Sequence, residues 1–334
     1  MVWNDNLRQS NPHPQPERDD CLFCPLSSLG LIRVRGADAR SFLQGQLSND
    51  IEQVSASQSQ LSAWCTPKGR ILALFLVFEH RGDIYLQLPL ERMDAVLKRL
   101  RMFVMRADVT LEDVSDSLAV AGAWGECLSD IFPDLTGEDF ALTESDGLSL
   151  IRFPSESDAP RAQIIGDVDA LARFREQLGE RASLISETFW DLLNIRSAVP
   201  TVVNATAEAF IPQMLNLDVL NGISFTKGCY TGQEVVARMK YLGQLKRRMY
   251  LAHAQDGNPM TAGDSLWSGQ SKSAQGAGKV VMAAPSENGD YEALVVAEIA
   301  TANADDLRLG GEDGPVVRLS PPPYEVPELK DQPE

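Results

Sequence analysis

The spacing of hydrophobic and polar positions changes along the chain, and each spacing predicts a different element. Apolar residues alternate across Leu29–Arg35, which predicts a strand. Phe42, Leu43 and Leu47 then recur at helical spacing, and Asp38 is the candidate N-cap of that helix. The same criteria predict strands at 70–78, 83–88, 118–123, 148–153 and 162–166, with 70–78 and 83–88 forming a hairpin, and helices at 91–103, 167–178 and 187–197.

Beyond Gly243 the pattern changes to short apolar runs separated by glycine, asparagine and aspartate turns. Such spacing is typical of a small antiparallel barrel. The mixture of strands and helices before Gly243 indicates an α+β fold. The barrel strands are predicted at 249–252, 279–282, 293–299 and 316–319.

Charge limits the kinds of partner that the chain can attract. Thirty Lys and Arg residues against 47 Asp and Glu residues give a net charge of −17, which on average repels nucleic acid and anionic membranes. Contact with any polyanion would need a local basic patch, and solvated faces are the simpler interpretation of both candidates. These candidates are Lys98, Arg99, Arg101 and Arg106, and Arg238, Lys240, Lys246, Arg247 and Arg248.

The termini and the apolar runs give an expectation for the compartment. Of the 334 residues, 44% are apolar, which is a globular composition. No run of 18 apolar residues occurs, so we expect no membrane span. The N-terminus lacks a charged segment followed by an apolar one, so we expect a cytoplasmic protein.

Five cysteines are an odd number, and in a cytoplasmic chain this argues against a disulfide framework. Cys21 and Cys24 have the spacing of half a zinc or redox site. No second such pair exists and the three histidines are scattered, so a metal or redox role for this pair is disfavoured.

The most informative segment is 221–238, NGISFTKGCYTGQEVVAR. Thr231 and Glu234 have the form of a capping box, which places Cys229 two residues before a helix start. A helix N-terminus, Lys227 and Arg238 each favour a thiolate, so Cys229 is a candidate reactive thiol. The alternative is a small buried hydrophobic residue. No histidine is nearby in sequence to act as its base, and neither a P-loop nor a dinucleotide fingerprint occurs.

This segment strongly resembles the signature of the YgfZ-type folate-binding proteins, whose core is K-G-C-(F/Y)-x-G-Q-E. The segments GADARSFLQGQLSNDI, WCTPKGRIL and PPPYEVPE resemble further blocks of that family, so that the resemblance covers roughly residues 28–325. The residues that match the core are Lys227, Gly228, Cys229, Tyr230, Gly232, Gln233 and Glu234.

The resemblance implies the fold of the glycine cleavage T-protein, an aminomethyltransferase. That fold has two ferredoxin-like α+β units and a C-terminal antiparallel β-barrel around a central cavity, which holds tetrahydrofolate or a related folate. The implied organisation is a disordered arm at 1–26, a folate-binding domain at 27–115 with 186–243, a second α+β domain at 116–185, a barrel at 244–322 and a tail at 323–334.

The resemblance also implies a function. Family members are linked to the maturation or repair of iron–sulfur enzymes, including a tRNA methylthiotransferase, so tRNA would be an indirect partner. Cys229 would be the essential thiol, assisted by Lys227. The alternative is a folate-dependent aminomethyl transferase, but the acidic residues that such enzymes carry after the block matching Lys68-Gly69 are absent here up to Glu79.

For the folate site, the resemblance implies two aromatic positions, of which Trp190 matches one and Leu29 occupies the other. Trp190 also suits core packing, because it lies on a predicted helix with other apolar residues. Gln213 and Asn216 are candidate amide partners of a folate, although such residues more often form loop hydrogen bonds. Tyr230, Gln233 and Glu234 complete the predicted folate-binding set.

Overall fold

The computed structural model describes residues 21–132, 137–157, 159–179, 182–241, 243–254, 257–273, 276–302 and 306–327. The predicted arm up to residue 20 and the last residues of the predicted tail lie outside this range.

The described residues form strands β1 to β17 and helices α1 to α6, whose bounds follow in chain order. They are β1 Cys21–Pro25, β2 Leu29–Arg35, α1 Ala39–Gln46, β3 Gln60–Cys65, β4 Ile71–His80, β5 Asp83–Pro89, α2 Met93–Arg101, β6 Thr110–Asp113, β7 Ala119–Trp124, α3 Cys127–Ile131, β8 Leu142–Ser145, β9 Leu148–Arg152, β10 Arg161–Gly166, α4 Val168–Leu178, β11 Ala182–Leu184, α5 Glu187–Arg196, α6 Gln233–Tyr241, β12 Arg247–Ala254, β13 Ser265–Trp267, β14 Gly278–Pro285, β15 Tyr291–Glu298, β16 Arg308–Leu309 and β17 Val317–Ser320.

The first sheet is antiparallel and has the strand order β3-β4-β5-β2-β6. Its β4–β5 hairpin and strand β2 confirm the predicted elements, and the predicted basic helix is α2. Asp38 precedes α1 as expected, but its side chain caps nothing in that helix. Its Oδ2 accepts instead from the backbone N–H of Asp108, which joins the helix start to the segment before β6.

The second sheet has the strand order β11-β1-β7-β10-β9-β8. Strand β1 lies inside the predicted arm, so the prediction of disorder through residue 26 is wrong for Cys21–Pro25. The strand pairs with β7 on one side and with β11 on the other, and its residues are buried. Short-range pattern could not show this, because both partners lie about a hundred or more residues away in sequence.

A disulfide joins Cys21 of β1 to Cys127 of α3, although the odd number of cysteines argued against a disulfide framework. The pairing also excludes Cys21 from a two-cysteine site with Cys24, whose thiol is free and buried. The two cysteines are 106 residues apart in sequence, so local cysteine spacing cannot predict this pair.

The third sheet has the strand order β16-β13-β14-β15-β12-β17. Its two edges approach each other, since the N–H of Val317 donates to the carbonyl O of Leu307 beside β16. The predicted antiparallel barrel region is therefore confirmed.

Helix α5 connects the units. It packs on β1 of the second sheet and on β14 and β15 of the third, and a continuous hydrophobic core includes residues from all three sheets. Nearly every side of α5 is buried, as its residues Phe189, Trp190, Leu192, Leu193 and Ile195 show. No helix among the described residues is both long and apolar enough to cross a bilayer.

Candidate functional sites: a central cavity and the cysteine loop

A cavity of about 680 Å³ lies where the three sheets and α5 meet. Its wall is mostly apolar, with a few polar side chains, and its volume falls within the range of about 300–1,000 Å³ that holds drug-sized ligands. The lining includes Leu74 and Gln87 of the first sheet, Gln163 of the second, Met282 of the third, and Glu187, Trp190, Asp191 and Asn194 of α5.

Both aromatic positions implied by the family resemblance lie on this cavity. Leu29 begins β2 and Trp190 lies in α5, and each contributes to the lining. The structure thus brings together two positions that are 161 residues apart in sequence (190 − 29).

The indole of Trp190 is only 2% exposed, so it offers little free surface for stacking. The guanidinium carbon of Arg161 lies 4.7 Å from its ring centroid, and Gly122 of β7 lies directly against the ring. These contacts are those of a core residue, in agreement with the alternative expectation for Trp190. The indole N–H has no partner among the described residues, however, and a ligand contact by Trp190 stays a prediction.

Two carboxyl groups on α5 were missed by sequence reasoning. The Asp191 carboxyl faces the cavity and is otherwise surrounded by protein. Desolvation by that protein, together with the nearby charge of Glu187, raises the pKa of Asp191 to about 7. Glu187 accepts from the backbone N–H of Ser28 at 2.8 Å and from the hydroxyl of Ser27 at 3.2 Å. The available signal was a carboxylate directly after Trp190, among the apolar residues Phe189, Leu192 and Leu193.

A pair of glutamines forms another polar patch of the wall. Nε2 of Gln87 donates to Oε1 of Gln163 at 2.8 Å, and Oε1 of Gln87 has no partner among the described residues. Gln87 is a polar residue within a strand that is otherwise almost entirely buried and apolar, which is the signal that could have identified it.

Arg161 does not line the cavity but contacts Trp190 and Asn194, which do. It is 1% exposed, and its Nη2 donates to Oδ1 of Asn194 at 2.6 Å. Its Nε and Nη1 have no partner within the described part of the chain. Burial lowers the pKa of Arg161 to about 9, against the opposing effect of Glu156 and Asp139.

The cysteine loop, residues 221–232, is fastened to the segment between α1 and β3. Ser48 Oγ donates to the carbonyl of Gly222 at 2.7 Å, and Nδ2 of Asn49 donates to the carbonyl of Asn221 at 2.6 Å. The ammonium of Lys227 donates in return to the carbonyls of Leu47 and Asn49, at 2.8 and 2.7 Å.

The contacts of Lys227 anchor the loop. The side chain is 9% exposed, and burial lowers its pKa to about 8, with Asp50 acting in the opposite direction. Its ammonium also lies 5.4 Å from the ring centroid of Tyr230, a buried residue whose pKa burial raises. The predicted assistance to Cys229 stays a prediction.

Two further features hold the end of the loop in place. Gly232 has a φ of +87°, and a Cβ there would lie 2.5 Å from the carbonyl O of Thr66, so only glycine fits. Helix α6 begins at Gln233, four residues after Cys229 rather than the two predicted.

Cys229 is exposed, so its interpretation as a small buried hydrophobic residue is wrong. The other free thiols are buried, and burial raises the pKa of Cys65 to about 12 and that of Cys24 still further. Cys229 does not contribute to the lining of the central cavity. Among the described residues the thiol and the cavity are therefore two separate features.

The remaining predicted folate-binding residues do not line the cavity. Nε2 of Gln213 donates to the carbonyl of Val236, and Nδ2 of Asn216 donates to the carbonyl of Met249. Both side chains are buried, and these bonds fasten α6 and β12 to the segment before the cysteine loop. Tyr230, Gln233 and Glu234 likewise do not line the cavity, so their contact with a folate stays a prediction.

The second candidate basic patch is partly neutralised. Arg248 forms a bidentate ion pair with Asp218, and Arg247 pairs with Glu298 at 3.2 Å. Lys240 lies over the ring of Phe225 at 3.9 Å. These contacts leave less unpaired positive charge than the sequence suggested.

Comparisons with known proteins agree with this architecture. Residues 16–152 match the GCVT N-terminal domain family. The crystal structure of the glycine cleavage system aminomethyltransferase T from Bartonella henselae superposes with a TM-score of 0.71 at 16% identity, over 94% of this chain and 89% of that one. The fold is therefore that of the aminomethyltransferase class.

Curated relatives identify the family within that class. The chain is 30% identical over 308 residues to the tRNA-modifying protein YgfZ of Pectobacterium carotovorum, covering 90% of this chain and 91% of the relative. It is 31% identical over 309 residues to the protein of the same name from Yersinia pestis, covering 91% and 93%. The chain belongs to the YgfZ family.

Proposed function

We propose that this chain is a cytoplasmic folate-binding accessory protein that supports the maturation or repair of iron–sulfur enzymes. Through such enzymes it would serve tRNA modification, specifically methylthiolation, with Cys229 as its essential thiol. The observation that carries the proposal is the cavity of about 680 Å³ where positions 29 and 190 meet, in a family whose curated relatives are named tRNA-modifying proteins.

The residues of the cavity fit a folate. Leu29, Leu74 and Met282 offer apolar surface to a flat ring system. The N–H of Trp190 and Oε1 of Gln87 belong to residues of the same wall, and both atoms are buried without a partner among the described residues. Buried polar atoms without partners are uncommon in native proteins, and two beside one cavity support a ligand that completes them.

The exposure of Cys229 supports a role in which another molecule must reach the sulfur. The loop that carries it is fixed by Lys227 and by Ser48 and Asn49, so the thiol sits on a rigid support. A thiolate on such a support can hold a transient metal or cluster, or form an adduct.

Folate binding is tested by titrating tetrahydrofolate into the protein while tryptophan fluorescence and heat release are recorded. We expect saturable binding by both methods. Trp190→Phe should remove most of the fluorescence change and keep the heat signal. Absence of heat and of fluorescence change for the unaltered chain would exclude folate as the ligand.

The thiol is tested separately, in a strain that lacks its own YgfZ protein. The wild-type chain should restore methylthiolated nucleosides in tRNA, measured by mass spectrometry, and Cys229→Ala should not. Matched protein levels and melting temperatures provide the control. Restoration by Cys229→Ala would refute an essential thiol.

The second candidate function is a folate-dependent aminomethyl transferase. The Asp191 carboxyl favours it, because it supplies the cavity with an acid that the segment after Lys68-Gly69 lacks. Formation of methylene-tetrahydrofolate from tetrahydrofolate and an aminomethyl donor would establish this activity. Its absence, together with folate binding, would leave the accessory role.

A further inference from the structure

The polar side chains on the cavity wall carry carboxyl, amide and hydroxyl groups. Asp191 and Glu187 contribute carboxyl groups, and Gln87 contributes the unpartnered Oε1. The unpartnered donor on the same wall is the indole N–H of Trp190. A ligand that lies against these carboxyl groups must therefore present N–H groups to them.

The two carboxyl groups differ in how they are engaged. They lie one helical turn apart on α5, at positions i and i+4, and so occupy the same face of the helix. Both oxygens of Glu187 accept hydrogen bonds from the segment before β2. The Asp191 carboxyl has no hydrogen bond or ion pair with any described residue, although it faces the cavity.

We propose that Asp191 is the specificity residue of the cavity, and that its carboxylate accepts two hydrogen bonds from a planar N–C–N edge of the ligand. Adjacent N–H groups on such an edge match the two oxygens of a carboxylate in the way that a guanidinium does. The 2-amino-4-oxopyrimidine edge of a pterin has this form. The inference rests on the proposed folate binding and deepens it.

Burial supports the assignment from a different direction. An enclosed carboxyl without a partner destabilises a folded chain once it ionises, and the raised pKa of Asp191 reflects that cost. A group that only packed α5 would be better replaced by an apolar side chain. A ligand that donates hydrogen bonds to Asp191 supplies the missing partners and offsets the cost of burying the ionised carboxyl.

The experiment compares two heterocycles that differ at one edge. Pterin carries an amino group at position 2, whereas lumazine carries an oxygen there and cannot donate both hydrogen bonds. Dissociation constants would be measured at pH 8 by fluorescence quenching for the wild type, Asp191→Asn, Asp191→Ala and the control Asp169→Asn. Asp169 is an exposed aspartate of α4 that does not line the cavity.

We expect the wild type and Asp169→Asn to bind tetrahydrofolate. Both should bind pterin at least about tenfold more tightly than lumazine, because lumazine would leave one oxygen of the Asp191 carboxylate without a hydrogen bond. Asp191→Asn and Asp191→Ala should lose at least about tenfold in pterin affinity and most of the discrimination. Their melting temperatures at pH 8 should equal or exceed that of the wild type, which separates recognition from a structural role.

The possible failures are distinguishable. If both Asp191 variants bind tetrahydrofolate and still prefer pterin as the wild type does, the assignment of Asp191 is overturned and folate binding stands. If the wild type binds neither tetrahydrofolate nor pterin, both the proposed function and this inference fail. A lower melting temperature in both variants, with affinity lost for both heterocycles alike, would assign Asp191 to structure instead.

Discussion

The indole of Trp190 in α5 lies directly against Gly122 in β7, so that a methyl group added at Gly122 would lie 2.5 Å from a ring carbon. This contact joins α5 to the second sheet at the wall of the cavity. We expect Gly122→Ala to displace the ring and to destabilise the fold by about 1–3 kcal/mol, as overpacking of a core does. Thermal or urea denaturation would measure the change.

A matched substitution is available at Gly45 in α1, where nothing lies within 4 Å of an added Cβ. Gly45→Ala should stabilise the chain by roughly 0.5–1 kcal/mol, because alanine is the better helix former. If Gly122→Ala stabilises the chain, as Gly45→Ala is expected to do, the close packing of Trp190 on Gly122 is not what restricts the side chain at position 122.

The ion pair between Arg248 and Asp218 gives a second prediction. Arg248 of β12 also donates to the carbonyl of Gln213, so the pair connects the third sheet to the segment before the cysteine loop. Side-chain exposure is 9% for Arg248 and 17% for Asp218. Asp218→Ala would leave a largely buried guanidinium without its partner, and we expect a loss of about 3 kcal/mol in unfolding free energy.

The control for this prediction is Asp313→Ala, at an exposed aspartate between β16 and β17. Surface changes of that kind usually alter stability by no more than about 0.5 kcal/mol. Urea midpoints of the two variants, compared with the wild type, provide the measurement. Equal midpoints for Asp218→Ala and Asp313→Ala would show that the Arg248–Asp218 pair contributes nothing measurable.

Thiol accessibility gives a third prediction. Cys229 is exposed, whereas Cys24 and Cys65 are buried and their raised pKa values disfavour the thiolate. A chromogenic disulfide reagent should therefore titrate one thiol per native chain at pH 8, and three in denaturant without reductant. In Cys229→Ala the native count should fall to zero; a native wild-type count of two or more would contradict the burial of Cys24 and Cys65.

Sequence patterns predicted most local elements because each depends on a repeat of two or about four residues. Strand β2 has the predicted bounds, and the β4–β5 hairpin and helix α5 lie within a few residues of theirs. Strand β1 was missed because it follows a proline-rich polar segment, and only its pairing with β7 and β11 shows it to be a strand.

The candidate sites were predictable only in part. The motif around Cys229 identified a loop before a helix and left the exposure of the thiol open, and the resemblance identified positions 29 and 190, which lie on one cavity. The predicted folate-binding set included Tyr230, Gln233 and Glu234 beside the thiol, because a linear sequence carries no distance between their loop and the cavity. Gln87 and Asp191 were missed for the same reason, since strand and helix converge on the cavity only after the sheets assemble.

The protonation of Asp191 gives a fourth prediction. Its folded pKa of about 7 lies above the ordinary value of 3.8, so the folded chain binds the extra proton between these values. Its contribution to stability is therefore fully present below pH 4 and is lost as pH rises through 7. The groups that interact with it are Glu187 on α5 and Cys24 of β1, whose thiol burial keeps neutral, and Glu91 lines the same cavity. We expect Asp191→Asn to be more stable than the wild type at pH 8 and to lose that advantage towards pH 4, in urea unfolding across this range.

For the control Asp169→Asn, the free energy of unfolding should depend on pH as it does for the wild type. A pH-independent difference in stability between Asp191→Asn and the wild type would show that Asp191 does not titrate in this window.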